Sequence, residues 1–152
     1  MFEQARSLAV GAKIIMEGDG IQDGDRILKP SSPVILCCAL SIEISLKLLI
    51  AQEGEAAQAG HCLDVLYRAL PEPVKTAFKL HAEKDHGQEF VGALESQIQA
   101  HADVFVSWRY AYEKGGELEC SPSFLYSLAF SLNTFIEDNY QFERNNNAWM
   151  VV

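Results

Sequence analysis

The segment from Ser31 to Leu70 constrains the fold more than any other part of this chain. Its first half, Val34 to Ala51, is apolar almost throughout. Such a pattern predicts a helix that is buried on nearly all sides. Within that helix Glu43 and Lys47 lie one turn apart, with the acidic residue first, which is the favourable order. Because charges in an apolar helix cost free energy unless they are paired or used, this pair marks a position of interest.

Composition sets wide limits on function. The chain has 152 residues, 49% apolar and 22% charged, which fits a single globular domain spanning 1–152. The net charge of −9 disfavours nucleic-acid binding, except at a local basic patch. The longest apolar run, Val34 to Leu40, is too short to cross a bilayer, and the start of the chain carries no signal-peptide pattern. We therefore expect a cytoplasmic protein with no membrane partner.

The rest of the chain has a helical pattern, and no segment alternates over the length of a strand. Ser41 and Ser45 form a stripe of small residues on the central helix, where a helix of this chain or of a second copy could approach closely. The sequence predicts an all-α, antiparallel up-and-down bundle of four or five main helices. Besides the central helix, which Ser32 and Pro33 begin and Gly54 ends, the predicted segments are a helix from Phe2 to Met16, a loop from Gly18 to Ser32, a helix from His61 to Leu70, a helix from Val74 to Lys84, a turn at Asp85-His86-Gly87, a longest helix from Gln88 to Lys114, and a last helix capped by Ser121 and Pro122.

Three segments in order resemble the HEPN superfamily, the helical domains of prokaryotic toxin and defence systems and of partners of small nucleotidyltransferases. Ser41-Ile42-Glu43-Ile44-Ser45-Leu46-Lys47-Leu48-Leu49 is similar to the family's second helix. Gly60-His61-Cys62-Leu63 is similar to the Gly-His-Asp-Leu start of the next helix, with Cys62 where Asp is common. Phe105-Val106-Ser107-Trp108-Arg109-Tyr110-Ala111-Tyr112-Glu113 is similar to a late helix of one subgroup.

This resemblance implies a helical bundle that often dimerises. In nuclease members it also implies metal-independent RNA cleavage by an Arg-x(4–6)-His motif. No histidine follows Arg109, Arg144 or Arg68 within that window, so the nuclease signature is absent from the sequence. The loss matters because cleavage needs a group that can take the 2′-hydroxyl proton near neutral pH, a role that His fills most readily.

The side chains of the resembling segments leave alternatives open. Glu43 either pairs with Lys47 along a seam or at the surface, or faces Arg109 across the bundle as a buried polar centre. His61, at a helix start, is expected to cap or pack locally. Tyr110 points away from the apolar stripe, and with Arg109 it could stack on a base or nucleotide.

The other chemically active residues favour structural roles. His101 lies on an apolar stripe and reads as a core histidine. Asp85, His81 and His86 could chelate a metal, but a solvated turn is the simpler interpretation. The four cysteines lack C-x-x-C spacing and are expected to be small buried residues. We expect neither a metal nor a cofactor.

These observations favour a noncatalytic HEPN-like binding or interaction module of a bacterial stress, toxin–antitoxin or defence system. The expected partners are a second copy in a homodimer, and an antitoxin or nucleotidyltransferase. The binding residues would be Glu43, Lys47, Arg109 and Tyr110. The alternatives are a divergent ribonuclease toxin acting through Arg109, Tyr112 and Glu113, or a subunit that presents substrate to a nucleotidyltransferase.

Overall fold

The apolar segment that dominates the sequence forms the central helix of the bundle. A computed structural model describes residues 1–18, 20–23, 25–28, 31–54, 60–110 and 120–141 of the chain. Over these residues the fold is all-α apart from one short hairpin, as the sequence predicts. The elements are α1 (Phe2–Glu17), β1 (Ile21–Asp23), β2 (Arg26–Leu28), α2 (Ser31–Gln52), α3 (Leu63–Arg68), α4 (Glu72–Ala100), α5 (Val104–Arg109) and α6 (Pro122–Asn139).

Helix α2 packs against α1, α3, α5 and α6. Its side chains at Ile42, Leu46 and Leu49 are fully buried. One continuous apolar core takes residues from all six helices named above, with α1, α3, α5 and α6 packed against α2, and α4 packed against α3 and α6. The predicted end of α2 is confirmed: Gly54 has φ +77°, which favours glycine, and its N–H donates to the Ala51 carbonyl oxygen.

The small residues of α2 bring helices of this same chain together. Ser41 is fully buried, and its hydroxyl donates to the carbonyl oxygen of Ala5 on α1 at 2.7 Å. That hydroxyl also accepts from the side-chain amide of Asn133 on α6 at 3.0 Å. Ser45 is fully buried as well. The serine stripe is therefore an internal contact, and the option that it seats a second copy is wrong.

The chain reverses at Gly87, within the range of α4. Gly87 has φ +80° and ψ 174°, a non-helical conformation inside the helical range. Lys79 Nζ and Glu95 Oε1 lie 2.6 Å apart, although a straight helix would separate these residues by about 24 Å. Residues 72–86 and 88–100 are therefore two antiparallel helical segments, which confirms the predicted turn at Asp85-His86-Gly87.

The prediction of one helix from Gln88 to Lys114 is wrong in its extent. The observed helix α4 ends at Ala100. The ring of His101 stabilises the break. Its Nδ1 donates to the Gln97 carbonyl oxygen at 2.7 Å, and its Nε2 accepts from the Ser121 N–H at 2.9 Å. Since His101 is buried with both ring nitrogens bonded, its prediction as a core histidine is confirmed. The short helix α5 follows, and residues 111–119 lie outside the described part of the chain.

The predicted loop from Gly18 to Ser32 contains a small antiparallel hairpin. Strands β1 and β2 have three residues each, and Ile21 pairs with Leu28. Strands this short show no alternation of apolar and polar residues, so the sequence pattern does not predict them. The sequence signal was the pair Gly24-Asp25 between the two strands, since glycine followed by Asp is typical of a two-residue hairpin turn.

By length and composition α2 could cross a membrane, which corrects the inference drawn from the short run Val34–Leu40. In the bundle, 67% of the most apolar 18-residue stretch of α2 is buried inside the protein. Burial of this kind is what the core helix of a globular bundle requires. The apolar character of α2 is therefore used in packing within this chain.

Candidate functional site

Glu43 is the charged residue of α2 that the bundle buries. Its side chain is 7% exposed, and Oε1 accepts a hydrogen bond from Lys47 Nζ at 2.8 Å. The second partner is His61, whose Nδ1 lies 2.9 Å from both carboxylate oxygens. The predicted ion pair with Lys47 is confirmed, and the pair with Arg109 is wrong, since Lys47 and His61 occupy the carboxylate.

Local structure brings His61 to this carboxylate. Gly60 has φ +104°, and a Cβ there would meet no atom within 4 Å, so glycine is favoured by backbone conformation and not by space. The next residues enter α3, where the N–H of Leu63 donates to the carbonyl oxygen of Ala102 at 2.8 Å. This bond ties the start of α3 to the turn before α5. His61 is thereby held between α2 and α5.

The carboxylate fixes the orientation of the His61 ring. An ionised carboxylate only accepts hydrogen bonds, so Nδ1 carries the proton and donates to Glu43. In the neutral imidazole Nε2 is then an acceptor. The side chain is 51% exposed, and no other described residue hydrogen-bonds Nε2. His61 is therefore anchored at one nitrogen and open at the other, which is more than the capping role expected of it.

Aromatic rings connect His61 to Arg109. The His61 and Phe105 ring centroids are 5.5 Å apart. Arg109 Cζ lies 5.3 Å from the Phe105 centroid and 4.5 Å from the Tyr110 centroid, within the range of cation–π attraction. Nη2 of Arg109 also donates to the Tyr110 hydroxyl. The guanidinium is exposed at the end of α5 but held in place by these two rings.

These six side chains form one site, the Glu43 cluster. Lys47 and His61 bond to the buried carboxylate, and the Arg109 guanidinium adds a third basic group next to Phe105, in a chain whose net charge is −9. The cluster is therefore a local basic patch, which the net negative charge of the whole chain does not exclude. Its members are Glu43, Lys47, His61, Phe105, Arg109 and Tyr110.

Sequence reasoning named four of the six. It missed the role of His61 and the supporting role of Phe105, although both lie in the resembling segments. The available signal was the pair Gly60-His61 just before α3, considered together with the buried Glu43 of α2, which can accept more than the one hydrogen bond from Lys47. Tyr112 and Glu113, the other named candidates, lie outside the described residues, so their places are not assigned.

His81 and His86 bond to hydroxyl groups of α6. His81 Nε2 lies 3.0 Å from the Thr134 hydroxyl, and His86 Nε2 lies 2.8 Å from the Ser131 hydroxyl. Asp85 stands 4.0 Å from His81. In the described ranges no three His, Cys, Asp or Glu side chains are arranged to hold a metal ion. These histidines join α4 to α6.

The four cysteines are free thiols. Cys38 is fully buried, and burial raises its pKa to about 12. Burial also raises the pKa of Cys37 and Cys120, which are half-buried like Cys62. A raised thiol pKa disfavours the reactive thiolate, so Cys37, Cys38 and Cys120 have the character of packing residues.

The end of α4, the turn that follows it and α5 border an open cleft of about 310 Å³. Asp103, Ser107, Trp108 and Cys120 are among the residues that line it. Trp108 is half-buried and packs against the core, as predicted. The cleft shares α5 with the Glu43 cluster but includes none of its six members.

Comparison with protein-family models, with curated proteins and with solved structures finds no match to this chain. The resemblance to the HEPN superfamily therefore rests on the three sequence segments themselves.

Proposed function

We propose that this chain is a noncatalytic HEPN-like binding module of a bacterial stress, toxin–antitoxin or defence system. It binds its partner, an antitoxin or a nucleotidyltransferase, at the exposed edge of the Glu43 cluster. The system and the partners come from the resemblance. The binding surface comes from the cluster, whose exposed members are His61 and Arg109, with Tyr110 half-buried beside Arg109.

One observation carries this proposal: an exposed arginine and a half-exposed histidine both contact the ring of Phe105. Phe105 and Tyr110 fix the Arg109 guanidinium, and the buried carboxylate of Glu43 fixes the His61 ring. Ordering such side chains in advance lowers the entropy that binding would otherwise cost. Arginine and tyrosine are also the side chains most enriched at binding hot spots.

The test is capture of a defined partner. The tagged chain is co-expressed with the products of its neighbouring reading frames, antitoxin-like or nucleotidyltransferase-like, and each candidate is assayed for co-purification. Arg109→Gln should abolish capture. Arg68→Gln should not, since it removes the same charge from an exposed pair with Asp64 on α3. Equal capture by wild type and by Arg109→Gln would refute the cluster as the binding surface.

A homodimer belongs to the same proposal, because the resemblance implies it. The dimer interface must lie away from Ser41 and Ser45, because both residues are buried within the chain. Light scattering on the purified chain tests the dimer directly. A strict monomer over a wide concentration range would remove the second copy from the proposal.

A divergent ribonuclease is the second candidate, and the position of His61 favours it. The sequence lacks a histidine after Arg109, but the fold supplies one from the start of α3. In that reaction His61 Nε2 would take the 2′-hydroxyl proton, and the 2′-oxygen would bond to phosphorus. The P–O5′ bond would break, with the leaving oxygen protonated by solvent and a 2′,3′-cyclic phosphate left behind. Arg109 would stabilise the charge on phosphorus, and Tyr112 and Glu113 remain further candidates.

Two measurements separate the enzyme from the binding module. Cleavage of a short RNA in the presence of EDTA, with 2′,3′-cyclic phosphate ends, would establish the ribonuclease, provided that His61→Asn abolishes it. Expression in a bacterial host should be harmless for a noncatalytic module. Toxicity that disappears in Arg109→Ala would overturn the noncatalytic proposal.

A further inference from the structure

We infer that the open cleft between the end of α4 and α5 binds a small organic cation, an ammonium group joined to an apolar body. The ammonium group faces the Asp103 carboxylate, and the apolar body lies against the ring of Trp108, since both residues line the cleft. The cleft includes no member of the Glu43 cluster, so this site is separate from the surface of the proposed function.

The cleft has the dimensions of a small-ligand site. Its volume of about 310 Å³ lies at the lower end of the range for small-molecule pockets. The N–H of Ser107 donates to the carbonyl oxygen of Asp103 at 2.8 Å, so α5 continues regularly from Asp103. Trp108 then comes about 7.5 Å further along the helix axis. A single small molecule in the cleft can therefore contact both side chains.

The charge at the cleft is negative. Asp103 is exposed, and its carboxylate neither caps α5 nor forms an ion pair with another described residue. Another wall is the carboxyl end of α4, the negative end of the helix dipole, where the last turn has no basic side chain. The amino end of α5 carries only about half an elementary charge of opposite sign. The carboxylate and the end of α4 together exceed it, so a cation is favoured.

The ring of His101 does not offset this charge. Among the described residues that line the cleft, His101 is the only basic one. Its Nε2 accepts from the N–H of Ser121 at 2.9 Å, and its Nδ1 donates to the carbonyl oxygen of Gln97 at 2.7 Å. A ring with one accepting nitrogen is neutral, and here it has no donor left for a ligand. An anion in the cleft would therefore meet Asp103 without a compensating positive charge.

Trp108 favours an organic cation over a metal ion. The face of an indole ring attracts ammonium groups more strongly than other aromatic side chains do. Trp108 is half-buried and packs against the core, which holds the ring in place. A metal ion needs several ligands, and the described part of the chain has no group of three His, Cys, Asp or Glu side chains that could hold one.

The experiment is an NMR titration of the full chain at pH 7, which follows the indole N–H of Trp108 and the backbone N–H of Asp103. The probe is 2-phenylethylammonium, with neutral 2-phenylethanol and anionic 3-phenylpropanoate as controls of similar apolar body. We expect saturable shifts of both signals with the ammonium, binding of the alcohol at least about tenfold weaker, and no saturable shift with the carboxylate. Equal affinities for the ammonium and the alcohol, or no saturable shift with the ammonium, would overturn the inference.

Matched charge variants locate the cation. Asp103→Asn should weaken binding of the probe by at least about tenfold, through the loss of one charged contact. Asp138→Asn should leave the affinity unchanged, since it removes the same charge from an exposed carboxylate of α6 that does not line the cleft. Equal weakening by the two variants would show only general attraction to an acidic chain, and the inference would be wrong.

Ring variants test the contact with Trp108. The affinity for 2-phenylethylammonium should fall in the order wild type, Trp108→Phe, Trp108→Leu, because a smaller ring attracts the cation less and an aliphatic side chain has no π face. Trp108 also packs against the core, so thermal melts verify that each variant is folded, and Trp108→Phe is the conservative comparison. Wild-type affinity in both variants would contradict a contact between the ligand and the ring.

Discussion

Glu43 has two basic partners with different access to water. Its side chain is nearly buried, that of Lys47 is 23% exposed, and that of His61 is 51% exposed. Both partners donate, and the carboxylate accepts from each. Because Lys47 and His61 are partly exposed, water can accept their hydrogen bonds in place of the Glu43 carboxylate more easily than in a dry core. Removing Glu43 should therefore cost less free energy of unfolding than removing one partner of a fully buried ion pair.

Replacing Glu43 by Gln should lower the free energy of unfolding by about 1–3 kcal/mol. The amide turns a donor toward Lys47 or His61, which are donors themselves. The matched control is Glu17→Gln, because Glu17 forms an exposed surface pair with Lys13 at 3.8 Å. That change should stay within about 0.5 kcal/mol. Urea unfolding measures both, and equal losses would contradict a special role for the buried carboxylate.

At the scale of elements, the reversal at Gly87 shapes one side of the bundle. It folds the range of α4 into two antiparallel segments joined by the Lys79–Glu95 pair. Asp85 and His86 do not by themselves require a turn, since both are tolerated in helices. The positive φ of Gly87 is what permits it, because residues with a Cβ are strained in that conformation.

Gly87→Ala should destabilise the protein by about 1–3 kcal/mol through backbone strain. Gly92 is the internal control, since it lies five residues further on in helical conformation. A Cβ at either position meets no atom within 4 Å, so crowding cannot explain a difference. Gly92→Ala should stabilise by about 0.5–1 kcal/mol through helix propensity. Thermal unfolding of both variants is the measurement, and a neutral Gly87→Ala would argue against the reversal.

At the scale of the whole molecule, the site and the core are built from distant parts of the chain. Helix α2 supplies Glu43, the segment just before α3 supplies His61, and α5 supplies Arg109. The same assembly buries Cys38 completely and raises its pKa to about 12. The reactivity of this thiol therefore reports on the integrity of the entire bundle.

Alkylation of Cys38 at pH 8 should proceed only at the rate of global unfolding. The thiol is inaccessible in the native state, and the thiolate is disfavoured at a pH far below its raised pKa. Cys62, half-buried at the start of α3, should react first and serves as the comparison within the same sample. Peptide mapping by mass spectrometry follows both. Comparable labelling of Cys38 and Cys62 without denaturant would contradict the buried position.

Sequence patterns predicted the elements whose signal is local. The ends of α1, the apolar α2, the turn at Gly87 and the cap at Ser121 all follow from side chains within a few residues. The Ser121 hydroxyl accepts from the N–H of Phe124, as a helix cap should. The break at His101 was missed because its cause is a ring bonded to Ser121, twenty residues away.

The sequence by itself determined the helical class, the central position of α2 and the pairing of Glu43 with Lys47. Each depends on helical periodicity, which fixes neighbours one turn apart. Only the tertiary structure decided that His61, and not Arg109, is the second partner of Glu43. Residues eighteen positions apart meet only through packing of α2 against the start of α3, and no local pattern specifies which polar groups such packing brings together.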